Sequence, residues 1–136
     1  MISYHLSTQS KQRLTTVTTN LKKVIYKAIE KNIIDMAVIC GHRPKDDQDA
    51  ALLEGKTTKP WPTSKHNSFP AKAVDVVPYI NGEASFKNLH CCVLAGVILA
   101  TAKELKIDIR WGGNWDMDGE PITDQTFKDL VHYEEI

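Results

Sequence analysis

A carboxylate stands in the middle of an apolar run. Ala73-Val74-Asp75-Val76-Val77 reads as a strand, and its period-two alternation sets Asp75 on the face opposite Val74 and Val76. Burying that carboxylate without a partner is expensive. Any fold this chain adopts must therefore bring a cation to Asp75, either a metal ion or an arginine such as Arg43 or Arg110. Two other stretches carry matching chemistry. Ser64-Lys65-His66 precedes the strand, and Asp129 stands three residues before His132 near the C-terminus. Two imidazoles, a ligand-type carboxylate and a spare carboxylate form the donor set of a catalytic zinc: three protein ligands, a position open to water, and a group to take the water's proton.

The chain around these stretches reads as a scaffold. Its 136 residues suit a single domain spanning 1–136. Seventeen basic and seventeen acidic residues cancel, so the basic footprint of a nucleic-acid binder is missing. Lys22, Lys23, Lys27 and Lys31 fit one solvated helix face. Cys40, Cys91 and Cys92 are odd in number and lack CxxC spacing, which fits free thiols rather than bridges or a structural zinc. Met1 to His5 lacks the basic and apolar regions of a signal peptide. No stretch approaches the ~20 apolar residues of a membrane span. A monomer is assumed.

Apolar residues at Leu14, Val17, Leu21, Val24, Ala28 and Ile29 define one stripe, which predicts a single long helix from a cap at Ser7 to Lys31-Asn32. Met36 to Cys40 reads as a strand, Lys45 to Leu53 as a short helix stopped by Gly55, and 56–70 as a polar, proline-bearing loop. Ala73 to Val77 is a strand ending at Pro78, and Asn81-Gly82 marks a turn. Phe86 to Leu105 is a buried helix, and Asp108 to Trp111 a strand. Thr123 to Leu130 is expected to be a short helix, and Val131 to Ile136 a last strand. This order predicts an α+β domain with a short antiparallel sheet flanked by helices. Among the aromatics, Trp61, Trp111, Trp115, Tyr79 and Tyr133 are candidates to line a groove, with Trp61 the strongest because of its polar loop.

The pattern S-x-H followed by A-V-D, then D-x-x-H-x-E, resembles the zinc D-Ala-D-Ala carboxypeptidase and L-alanyl-D-glutamate peptidase family, and within it the small phage endolysins. The likeness extends to Gly41-His42-Arg43 with Gln48, to Gly55-Lys56-Thr57, to Val76-Val77-Pro78-Tyr79 and to Trp111 through Asp116. Two departures are visible. Eight residues separate His66 from Asp75 where the family pattern has six, and residues near Phe69-Pro70 are expected to bulge outward. The acid before His132 is aspartate, as in the endolysin branch, rather than glutamate.

The resemblance implies a hedgehog/D,D-peptidase-like fold and a zinc metallopeptidase that hydrolyses peptidoglycan stem peptides at the L-Ala–D-Glu bond. It implies His66, Asp75 and His132 as zinc ligands, Asp129 as general base, and Arg43 as the donor to the developing oxyanion. Ser64 and Gln48 are the expected substrate-binding residues, and Glu134 is expected to orient a ligand imidazole. It implies action on the cell wall after holin-type release from the host cytoplasm. The alternatives are a D-Ala-D-Ala carboxypeptidase and a zinc-containing binding domain without activity. Asn114 to Glu120 alternates oxygen donors like the start of an EF-hand loop, a candidate calcium site, although Gln125 stands where a bidentate glutamate belongs.

Overall fold

The computed structural model describes residues 2–136. Its elements are α1 (Thr8–Leu14), α2 (Thr19–Glu30), β1 (Met36–Cys40), α3 (Lys45–Leu53), β2 (Ala73–Ile80), β3 (Glu83–Ala84), α4 (Asn88–Glu104), β4 (Ile109–Gly112) and β5 (Asp129–Glu135). The sheet runs β1-β2-β5-β4 with every neighbouring pair antiparallel, and β3 pairs with the far end of β2. The α+β expectation holds.

Alternation along β2 and β5 divides the sheet. Val74, Val76 and Tyr133 enter the core with Leu94 and Ile98 of α4 and with Leu21, Val24 and Ile25 of α2. Each such aliphatic side chain contributes on the order of 1.5–3 kcal/mol by leaving water. Asp75, His132 and Glu134 take the opposite face. They meet there because Asp75 is in register with His132 across the β2–β5 pair. The residue spacing thus decides which side chains meet, and the core behind fixes them.

Three local expectations are corrected. The N-terminal helix is broken in two. Its stripe stays buried as expected, from Leu14 and Val17 to Ile29, but the backbone between Leu14 and Thr19 leaves the helix. Thr15 and Thr16 donate their hydroxyls back to the carbonyls of Gln12 and Arg13, a local alternative to the helical ladder. The amide of Ala71 then bonds the carbonyl of Thr16 at 2.8 Å, and the amide of Thr18 bonds the carbonyl of Ala71 at 3.0 Å. Thr18 caps the restart by accepting from the amide of Leu21.

The second correction is at Pro78, which does not end β2; the strand continues to Ile80. Pro78 sits opposite Met36 of β1, its carbonyl accepts from the amide of Ser85 at 2.8 Å, and the next amide, Tyr79, donates to the carbonyl of Asp35 at 3.0 Å, so pairing carries on past the missing N–H. Finally, Thr123 to Leu130 forms no helix. Residues 115–128 are a loop stapled by Gln125, whose amide accepts from the Trp115 amide at 2.9 Å and donates to the carbonyl of Gly112 at 3.1 Å. Trp115 and Phe127 stack, with centroids 6.1 Å apart, and Asp129 already belongs to β5.

Candidate metal centre

Three donor atoms from three segments form a nearly equilateral triangle. His66 Nε2 lies 3.2 Å from Asp75 Oδ1 and 3.2 Å from His132 Nδ1, and the last two atoms are 3.3 Å apart. A tetrahedral ion with ligand bonds near 2.0–2.1 Å requires donors about 3.3 Å apart. Both imidazoles have their tautomers set from behind. His66 Nδ1 lies 2.8 Å from the carbonyl of Gly41, so it carries the proton and leaves Nε2 a free lone pair. His132 Nε2 lies 2.8 Å from Glu134 Oε1, which leaves Nδ1 free. The residues present fit zinc: two imidazole nitrogens, able to coordinate once deprotonated, converge with one carboxylate oxygen beside a cavity.

Glu134 is buried against the His132 imidazole. Besides His132, it meets Arg110 at 2.8 Å and Lys65 at 3.2 Å. Burial favours its neutral form, but His132, Arg110 and Lys65 outweigh this and hold its carboxyl below the usual carboxylate range. Neither lysine nor arginine was marked by the sequence pattern as part of this support. Only the register that sets Arg110 opposite Glu134 reveals it.

The loop bearing His66 is pinned through its backbone. The amide of Arg43 donates to the carbonyl of His66 at 2.8 Å, and Lys72 donates to Lys65 at 2.9 Å. The hydroxyl of Ser64 accepts from the amide of His66 at 3.2 Å. The extra loop residues do bulge outward, with Phe69 exposed.

Arg43 sits beside the triangle. Its guanidinium is 3.7 Å from Asp75 Oδ2 and donates to Gln48 Oε1 at 3.1 Å. Gln48 is 0% exposed and does not line the cavity. The expectation that it binds substrate is therefore corrected. Its amide is spent inside the protein, on Arg43, on Asn67 at 3.0 Å and on the carbonyl of Lys59 at 2.7 Å.

Asp129 lines the cavity, and its carboxylate lies within 4.8 Å of donor atoms on Asp75 and His132. Burial, and then the charge of Asp75, raise its pKa above the ordinary carboxylate value. Cys40 is a neighbour that sequence reasoning missed: its sulfur is 3.8 Å from both His66 Nδ1 and Arg43 Nη2. No spacing motif marks it. Trp115 lines the cavity with Phe127, whereas Trp61 does not, and Trp111 and Tyr133 are core.

Asp75 favours the protonated form of both imidazoles. Burial alone lowers the pKa of His66, but Asp75 outweighs it and pushes His66 up to about 10. His132 is raised as well: burial again pulls it down, and Asp75 and Glu134 outweigh that. Metal must displace these protons. Affinity for zinc is therefore expected to rise with pH by about tenfold per unit for each proton displaced, until His66 loses its own proton near pH 10. The metal-free fold has the opposite dependence. Its imidazolium–Asp75 attraction is fully present below the ordinary histidine value of 6.5 and is lost as pH rises toward 10. Competition titrations and thermal melts across pH 6–9 check both slopes.

The acidic turn is rearranged relative to the expected calcium run. Asp116, Asp118 and Asp124 gather their carboxylates within 4.8 Å of one another. The side-chain amide of Asn114 instead donates to the carbonyl of Asp118, and Glu120 is outside the group. Desolvation, then the neighbouring Asp118 and Asp116, push Asp124 up to about 6.

The family model for phage L-alanyl-D-glutamate peptidase matches residues 2–136. The chain belongs to that family. The L-alanyl-D-glutamate peptidase of Escherichia phage T5 is 28% identical over 120 residues, covering 88% of this chain and 87% of that protein. The crystal structure of Serratia marcescens L-Ala D-Glu endopeptidase ChiX superposes with a TM-score of 0.80 at 25% identity, covering 98% of this chain and 90% of the other. As a phage L-alanyl-D-glutamate peptidase family member the chain is a peptidase acting on peptidoglycan. Among its described residues no helix is long and apolar enough to cross a membrane.

Proposed function

We propose that the protein is a zinc-dependent endopeptidase that cuts the L-Ala–D-Glu bond of peptidoglycan stem peptides, acting as an endolysin that reaches the wall after holin-type release from the host cytoplasm. The observation that carries this reading is the triangle of His66 Nε2, Asp75 Oδ1 and His132 Nδ1, with edges of 3.2–3.3 Å and both tautomers fixed. Bound there, zinc supplies a Lewis acid that polarises the scissile carbonyl and brings water's pKa toward neutrality. Asp129 takes a proton from the attacking water and passes it to the departing amine, a role suited to a carboxylate of raised pKa. Arg43, held rigid by Gln48, faces the carbonyl oxygen as charge develops. Ser64 accepts from the backbone with its hydroxyl oxygen and keeps its O–H to donate to the substrate backbone. The gathered carboxylates of Asp116, Asp118 and Asp124 suit an oxygen-preferring ion, calcium, away from this chemistry.

A stem tetrapeptide incubated with the zinc-loaded protein is expected to split between L-Ala and D-Glu, read as product masses. Loss of only the terminal D-Ala marks a carboxypeptidase instead, and an intact peptide marks a binding domain.

A further inference from the structure

The cavity in front of the three donors is lined by two unlike segments: one is the loop that supplies Trp115 and Phe127, the other the turn after α3, Lys56 to Lys59. The cations lining it differ in how they are engaged. Arg43 is held by Gln48 and Asp75, Lys65 is paired with Glu134 at 3.2 Å, and Lys56 is paired with Glu54 at 2.8 Å. Among the described residues Lys59 has no carboxylate within 4.0 Å of its ammonium.

Its backbone is nonetheless fixed. The carbonyl of Lys59 accepts from Gln48 Nε2 at 2.7 Å, and its amide donates to Thr57 Oγ1 at 3.2 Å. Gln48 is the same buried amide that holds Arg43. One fully buried side chain therefore ties an unneutralised lysine and the arginine beside the metal donors to a common frame.

The proposed substrate supplies what that lysine lacks. Glutamate has two carboxyl groups, and the chain continues through only one. The residue whose amine is released at an alanyl–glutamyl bond therefore keeps a free carboxylate a few bonds from the scissile nitrogen. We infer that Lys59 binds this carboxylate and so selects an acidic residue on the amine side of the cut, with the alanyl side lying toward Trp115 and Phe127. The inference rests on the proposed function and adds the substrate's orientation and the residue that reads its acid. Lys59 is exposed, so its charge-assisted hydrogen bond to the carboxylate is expected to give a preference of about fivefold.

The test uses the zinc-loaded full chain and two stem peptides that differ only in that carboxyl, free acid against primary amide. Wild-type protein is expected to favour the acid about fivefold in kcat/KM, with the difference in KM. Lys59→Gln is expected to bring the acid down to the amide's value, while Lys59→Arg keeps the preference. Lys56→Gln is also expected to keep it, because Lys56 is already paired. Equal use of both peptides by the wild type, or an undiminished preference in Lys59→Gln, overturns the assignment and leaves the proposed function standing. A wild type that cleaves neither peptide overturns both.

Discussion

Turnover of Asp129→Asn is expected to fall by about 10²- to 10⁴-fold, with bound zinc still stoichiometric and the melting temperature little changed. The substitution keeps the shape and removes the proton acceptor. Asp129 stands outside the tight donor triangle but shares its cavity, and burial beside Asp75 raises its pKa. A raised value brings its proton affinity closer to that of the water it is proposed to serve, which favours transfer in both directions. Its carboxylate also comes within 4.8 Å of Asp75 and His132 donors, so a fourth-ligand role makes a different forecast: zinc lost together with activity. Metal analysis of the purified variant, alongside kcat, separates the two. Full activity in Asp129→Asn would remove it from the chemistry altogether.

The other large effect is at His66. His66→Ala is expected to lose stoichiometric zinc, to have no activity above background, and to show no thermal stabilisation on adding zinc. The wild type, at free zinc a thousandfold above its Kd, gains about 4 kcal/mol from binding by mass action alone. The variant forfeits that gain because two donors remain where three are needed. Its metal-free form is expected to stay folded, since His66 belongs to a loop pinned by backbone bonds from Arg43 and Lys72 rather than to the apolar core. Differential scanning calorimetry with and without zinc reads the gain directly, and a variant still stabilised like the wild type would strike His66 from the ligand set.

Much of the centre was legible because its determinants are local. Asp75 amid valines announces a strand residue in need of a cation, and strand alternation sends His132 and Glu134 to one face with Tyr133 on the other. Those patterns repeat every two residues and need no knowledge of distant neighbours. Gln48 shows the limit of such reading. Its place beside Arg43 in a family-like motif suggested substrate contact, but nothing in the local pattern says whether α3 turns it inward. In the fold it is fully buried. The same limit explains Trp61 and Trp115. Both are aromatics in polar loops, and only the Gln125 staple and the stack on Phe127 bring Trp115 to the cavity.

What the chain's order of residues determined alone is the chemistry on offer and the period of each element: two imidazoles, their carboxylate, a spare acid, and the apolar stripes that must be covered. These follow from side-chain identity and backbone geometry over a few residues. Tertiary structure alone decided where the first helix breaks, because Ala71 bonds to both Thr16 and Thr18. It also decided which imidazole nitrogens are free, because the Gly41 carbonyl and Glu134 claim the others. It further decided that, among the described residues, no carboxylate comes within 4.0 Å of the ammonium of Lys59, although Lys59 lines the cavity. Such outcomes depend on partners brought together by folding across long separations, 66 positions in the case of His66 and His132, and no window of neighbouring residues contains them.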